Sequence, residues 1–294
     1  MDILLQLIVN GLLIGGVYGL ISVGLTLVFG VLRIVNFAHG ELLMLGMFAG
    51  FWAYRLVGVD PNLTALLILP VFFALGLAIY YSLIRPVLSA AALAQFFCTI
   101  GLSVFLQNAA LLAWGADLRS VRTTYSQSYF EIGEVTVSVV RVVAFAASML
   151  LSGALLAFLH YTFMGKAMRA MVQNKQAAVL IGIPVNRTYA IAFALGIACV
   201  GAAGSILVPI FQIYPSIGLN FVLTAFVVVV LGGMGSVSGA VLGGLIVGLV
   251  EALSGYFIAP TVKEVVYYII FLGILLVRPS GLFGILGSEE VGLR

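Results

Sequence analysis

Long apolar runs, separated by short polar joints, make up nearly the whole chain. The runs Leu4–Phe29, Leu42–Val57, Leu63–Ile84, Ala92–Trp114, Val139–Tyr161, Thr188–Phe211, Phe221–Met234, Ser238–Ile258 and Glu264–Val277 carry few or no charges. A helix needs about 20 apolar residues to cross a bilayer core. The Leu42, Phe221 and Glu264 runs fall short of that. The pattern predicts an all-α, polytopic transmembrane helix bundle of eight or nine spans, forming a single domain over residues 1–294. The largest polar joint, about 115–138, is predicted to lie outside the membrane. Its Val135-Thr-Val-Ser-Val alternation predicts a short strand.

Two runs are interrupted by glycine and polar residues. One interruption is Phe29-Gly-Val-Leu-Arg-Ile-Val-Asn-Phe-Ala-His-Gly-Glu-Leu-Leu-Met-Leu-Gly46, and the other is Leu231-Gly-Gly-Met-Gly-Ser-Val-Ser-Gly-Ala-Val-Leu-Gly-Gly244. Such interruptions, one in each half, mark either broken helices at a transport pathway or tight turns at the membrane surface. Glycines also recur at intervals of four: Gly11, Gly15 and Gly19; Gly235, Gly239 and Gly243; Gly46 and Gly50; Gly244 and Gly248. These smooth faces suit close helix packing within the chain, or a subunit interface.

Composition narrows the class. The chain is 63% hydrophobic and 8% charged, against about 25% charged for a soluble domain, so it is an integral membrane protein. Its net charge of +3 is dispersed, which argues against nucleic-acid binding. Cys98 and Cys199 sit inside apolar runs, with no disulfide framework or metal-ligand spacing. No Lys or Arg precedes Arg33, so the basic region of a signal peptide is missing. The first run is therefore expected to be a retained helix with an outward-facing N-terminus. With nine spans, Arg33, Arg85, Lys166, Arg169, Lys175, Arg187, Arg278 and Arg294 fall inside. Arg55, Arg119, Arg122, Arg141 and Lys263 fall outside, beside Asp60, Asp117, Glu131, Glu134 and Glu264. This bias follows the positive-inside rule and puts the C-terminus in the cytoplasm.

Catalytic patterns are missing. There is no HExxH, no phosphate-binding Gly-x-x-x-x-Gly-Lys-Ser/Thr and no His/Cys cluster. Ser236-Val-Ser238-Gly239 faintly resembles an intramembrane serine protease loop, but the available bases are only His39 and His160. No enzyme activity and no bound cofactor are expected.

The loop at about 162–187 carries Lys166, Arg169, Lys175 and Arg187, and no acid occurs from Val135 to Val250. Asn174 can cap a short helix from Lys175 to Ile181, which Gly182 ends and Pro184 keeps from continuing. Ala177 and Ala178 present a small-residue patch flanked by Leu180 and Ile181. Such a helix either inserts into a groove on a partner protein or lies on the lipid surface. Glu251 is a lone carboxylate in an apolar run. Acids there usually face a cavity or a partner, so Glu251 meets either a substrate ammonium or an Arg or backbone donor.

Gly24-Leu-Thr-Leu-Val-Phe-Gly-Val-Leu-Arg-Ile-Val-Asn-Phe-Ala-His-Gly-Glu41, the Gly165–Ile183 loop and Val229-Val-Leu-Gly-Gly-Met-Gly-Ser-Val-Ser-Gly-Ala240, in this order, resemble the LivH-type permease family. These are membrane subunits of bacterial ABC importers for branched-chain amino acids. The resemblance runs from Leu5 to about Gly284. It implies an inner-membrane permease working by alternating access on branched-chain or other hydrophobic amino acids. The implied partners are a second, LivM-like permease, two cytoplasmic ABC ATPases and a periplasmic substrate-binding protein. It also makes Lys166, Arg169, Asn174, Ala177, Ala178 and Gly182 the ATPase-coupling element. Asn36, His39 and Glu41 then either line the pathway or pin the broken helix, with Gly233, Ser236 and Glu251 as further candidates. Urea or short amides are an alternative cargo for such a permease. A stand-alone secondary transporter or channel is the alternative of a different class.

Overall fold

The computed structural model describes residues 2–284, apart from Glu134 and Pro279. Glu134 and Arg294 of the charge pattern lie outside the described residues. The helices are α1 (Asp2–Leu32), α2 (His39–Val57), α3 (Pro61–Ile79), α4 (Arg85–Val87), α5 (Ala92–Trp114), α6 (Val139–Tyr161), α7 (Phe163–Gln173), α8 (Lys175–Leu180), α9 (Val185–Leu207), α10 (Ile217–Gly232), α11 (Val237–Phe257) and α12 (Lys263–Val277). A π-helical turn, Tyr80–Ile84, joins α3 to α4. It lies just upstream of Pro86, whose ring would clash with an ideal preceding turn. The predicted Leu63–Ile84 helix therefore extends to Val87. The predicted strand is real: β2 (Val135–Ser138) pairs antiparallel with β1 (Tyr129–Ile132), with Tyr129 opposite Ser138.

Among the described residues, six stretches are long and apolar enough to cross a membrane: Ile3–Leu32, Pro61–Val87, Ala92–Trp114, Val139–Tyr161, Val185–Leu207 and Val237–Phe257. Helices α2, α10 and α12 have only 19, 16 and 15 residues. These three are the runs whose pattern already marked them as short.

Helix α1 is the hub, and glycine makes it one. Methyl groups added at Gly11 and Gly15 would sit 2.8 and 2.7 Å from the carbonyl oxygens of Gly248 and Gly244. The backbones of α1 and α11 thus touch, running antiparallel. At Gly24 an added methyl would meet the Gly196 oxygen of α9 at 2.6 Å. Gly239 and Gly243 of α11 pack on Gly232 of α10, and Gly46 of α2 packs on Gly201 of α9. The four-residue glycine faces therefore close contacts within the chain.

One end of the bundle carries the 115–138 loop. There the hairpin grips α1: Gln6 Nε2 donates to the Thr136 oxygen at 2.7 Å, and Thr136 N donates to Gln6 Oε1 at 2.8 Å. Arg119 and Ile213 exchange backbone hydrogen bonds of 2.9 and 2.8 Å, tying the loop to the α9–α10 linker. The Arg119 guanidinium lies 5.5 and 5.3 Å from the ring centres of Phe51 and Trp52, and its Nη2 donates to the Trp114 oxygen at 2.6 Å. Tyr125 donates to Asp60 Oδ2 at 2.6 Å. Burial, followed by that bond, pushes the Tyr125 phenol up to about 12. Helices α7 and α8 form the connector at the opposite end.

Gly15→Val is expected to destabilise the protein by about 1–3 kcal/mol, because the new side chain overpacks the α1–α11 contact. Gly153→Val, where an added methyl meets nothing within 4 Å, should change stability far less. Thermal denaturation of the two variants in detergent checks the contrast.

Candidate functional site

The first predicted interruption is a helix break, whereas the second is a tight turn between the antiparallel helices α10 and α11, closed by the Ser236 N–H donating to the Gly233 oxygen at 3.0 Å. The first begins where α1 ends at Leu32. Arg33 takes a left-handed φ of +57°, a helix-stop position that glycine usually fills. Residues 33–38 are non-helical, and α2 starts at His39. His39 Nε2 lies 2.9 Å from the Ile21 oxygen. Ile21 is eleven residues before the end of α1, or about 16 Å back along its axis. The break therefore carries the chain back beside the middle of α1 before α2 begins. Polar groups hold it there. The Ala38 N–H donates to Asn36 Oδ1 at 3.1 Å, and Thr99 Oγ1 of α5 donates to the Val35 oxygen at 3.2 Å.

Asn36, His39 and Glu41 are all fully buried. Asn36 Nδ2, His39 Nδ1 and both Glu41 carboxylate oxygens find no hydrogen-bond partner among the described residues. Glu41 lies in the first turn of α2, and a methyl added at Gly218 in the first turn of α10 would come 2.8 Å from its Oε2. Its carboxylate thus sits between two helix N-termini, whose partial positive charge favours an anion. None of the three residues lines the cavities described below.

The second interruption runs from Gly233 to Ser236. Gly233 and Gly235 adopt φ of +102° and +86°, and Ser236 Oγ accepts from the Gly239 N–H at 3.1 Å to cap α11. This segment packs on the last turn of α1, just before the first break, since a methyl added at Gly30 would lie 2.8 Å from the Gly235 Cα.

The connector packs on that meeting point. Helix α7 is amphipathic, with Gly165, Ala167, Met168 and Met171 buried and Lys166 and Arg169 exposed. Arg169, Gly30, Gly235 and Ser236 line one cavity of about 220 Å³. A methyl added at Gly235 would be 3.7 Å from Val172 Cγ1 of α7. In α8, Asn174 Oδ1 accepts from the Ala177 N–H at 2.9 Å, and Gly182 takes a left-handed φ of +85° after the helix. Ala177 is exposed, whereas Ala178 is 2% exposed. The two alanines do not form one outward patch as expected, because one residue along a helix turns the side chain by about 100°. The outward large apolar residues are Val179, Leu180 and Ile181, 48%, 87% and 75% exposed.

Residues 7–275 match the family model of the branched-chain amino acid transport system permease component. The chain belongs to that family. It is 34% identical to the high-affinity branched-chain amino acid permease LivH of Salmonella typhimurium, over 98% of this chain and 96% of the relative. It is likewise 34% identical to the BraD permease of Pseudomonas aeruginosa, over 98% and 97% of the two chains. A probable LivH of Methanocaldococcus jannaschii is 28% identical over 90% and 88%. No solved structure matches. The chain is a multi-pass membrane permease component of a transport system, not an enzyme.

The remaining candidate of the permease stands apart from the break and the turn. Glu251 pairs with Lys263 of α12, not with an Arg or a backbone donor. Lys263 escapes a reading of the sequence because a lysine beside a polar loop resembles any boundary charge. Helix α7 escapes it too, although Met164, Ala167, Met168, Met171 and Val172 carry the i, i+3, i+4 spacing of an amphipathic helix.

His39→Ala is expected to lower stability by about 2 kcal/mol or more, from a lost buried hydrogen bond and a new cavity. His39→Gln, which can still donate toward Ile21, should recover part of the loss. Melting of the purified variants distinguishes them.

Proposed function

We propose that the permease translocates branched-chain or other hydrophobic amino acids across the bacterial inner membrane by alternating access powered by partner ATPases. In this reading it works with a second, LivM-like permease, two cytoplasmic ATPases and a periplasmic substrate-binding protein. The N-terminus faces the periplasm. The concentration of Arg33, Arg85, Lys166, Arg169, Lys175, Arg187 and Arg278 at the connector end supports a cytoplasmic placement of that end.

The packing of α7 on Gly235 carries the mechanism. Lys166, Arg169, Asn174, Ala177 and Gly182 belong to the coupling element. Ala177, Leu180 and Ile181 form the apolar contact with an ATPase, and Ala178 seats α8 on the rest of the chain. Displacement of the connector would pass through Val172 to Gly235 and on to Gly30, so that the α10–α11 turn moves with the end of α1, from which the first break starts. Gly233 and Gly235 provide the hinge and Ser236 the fixed start of α11. Asn36, His39 and Glu41 pin the first break rather than touch cargo. Only a difference in ATPase affinity between two connector positions can drive such a cycle.

After co-expression with the partner subunits, Ala177→Arg is expected to abolish ATPase copurification while the permease stays monodisperse. Retained copurification would overturn the docking role. Ala178→Arg should instead unfold the connector and broaden elution. Amino-acid uptake into liposomes holding this chain alone would overturn the importer reading itself.

A further inference from the structure

A second cavity, of about 390 Å³, opens at the loop end between α1, α10, α11, α12 and the α9–α10 linker. Its lining includes the Glu251–Lys263 ion pair, the aromatic rings of Tyr18, Phe221 and Tyr267, and the amide of Asn220. The Glu251 side chain is 13% exposed and that of Lys263 37%. An ion pair with one member more than a third exposed is a weak way to fasten two helices, since solvent screens it. Helix α11 has no other charged residue, so one acid placed at this cavity calls for a role beyond packing.

We infer that this cavity is a subsite for a neutral α-amino acid, held by its zwitterionic head. The inference rests on the importer reading above. The ligand's carboxylate pairs with Lys263 Nζ and its ammonium with Glu251, so the ligand inserts into the existing ion pair. Two charge-assisted contacts replace one, and no unpaired charge is buried. The aliphatic side chain lies against the edges of Tyr18 and Phe221, which line the cavity. The volume falls within the range of about 300–1,000 Å³ typical of small-ligand pockets. Glu264, exposed where it borders the cavity, adds a second negative charge that disfavours acidic amino acids.

Equilibrium binding of radiolabelled leucine to the complete transporter in nanodiscs, without the periplasmic binding protein, tests the subsite. Saturable binding is expected, competed by valine and isoleucine. Leucinamide, which lacks the carboxylate, and 4-methylpentanoate, which lacks the ammonium, should each compete about tenfold or more weakly. Glu251→Gln and Lys263→Met should each weaken leucine by a similar factor in complexes that still assemble. No saturable binding up to millimolar leucine overturns the subsite. So does equal competition by either one-charge analogue, or undiminished binding in both variants. The wild-type competition series decides between these outcomes even where a variant fails to assemble. Copurification of the ATPases is scored on the same sample, so failure of the subsite is separable from failure of the importer reading.

Discussion

Backbone-to-backbone contact along α1 is the constraint on which the rest of the molecule rests. Ordinary helix pairs stand about 8–10 Å apart because side chains keep them there. Gly11 and Gly15 against Gly248 and Gly244, and Gly24 against Gly196, remove those side chains on both faces of α1. In a bilayer, where lipid tails are as apolar as leucine, such close van der Waals contact is a main source of helix association. Clamped between α9 and α11, α1 becomes a fixed rail. Its Ile21 carbonyl can then serve as the anchor for His39.

That anchor makes the first break tolerable. Non-helical backbone at membrane depth needs protein partners, because lipid supplies none. Residues 33–38 find them in Thr99, in the Asn36 side chain and, through His39, in α1. The same region holds Glu41 between the N-termini of α2 and α10, where two helix dipoles offset the burial of an acid. The Gly233–Ser236 segment touches the last turn of α1 at Gly30, and α7 leans on Gly235. Helix α7, the α10–α11 turn and the last turn of α1 thus pack against one another in sequence.

The two ends of the bundle differ in their chemistry. The loop end mixes acids, bases and aromatic rings, and is tied down by Arg119, Tyr125 and the hairpin. The connector end is basic, and Val179, Leu180 and Ile181 of its short helix α8 are exposed.

What could be read from the sequence was local. Apolar run lengths marked the helices and flagged α2, α10 and α12 as short. Asn174 and Gly182 bounded α8, and the alternation at Val135 gave β2, because capping and pleat periodicity are decided within a turn or two of chain. The break and the turn were visible as glycine and polar interruptions for the same reason. Tertiary structure alone decided which groups meet: Glu251 with Lys263, Gly30 with Gly235, Arg119 with Phe51 and Trp52, and Ala178 turned inward while Ala177 faces out. These pairings depend on how whole helices rotate and approach one another. That is the sum of many weak contacts between residues far apart in sequence, and no local pattern encodes it.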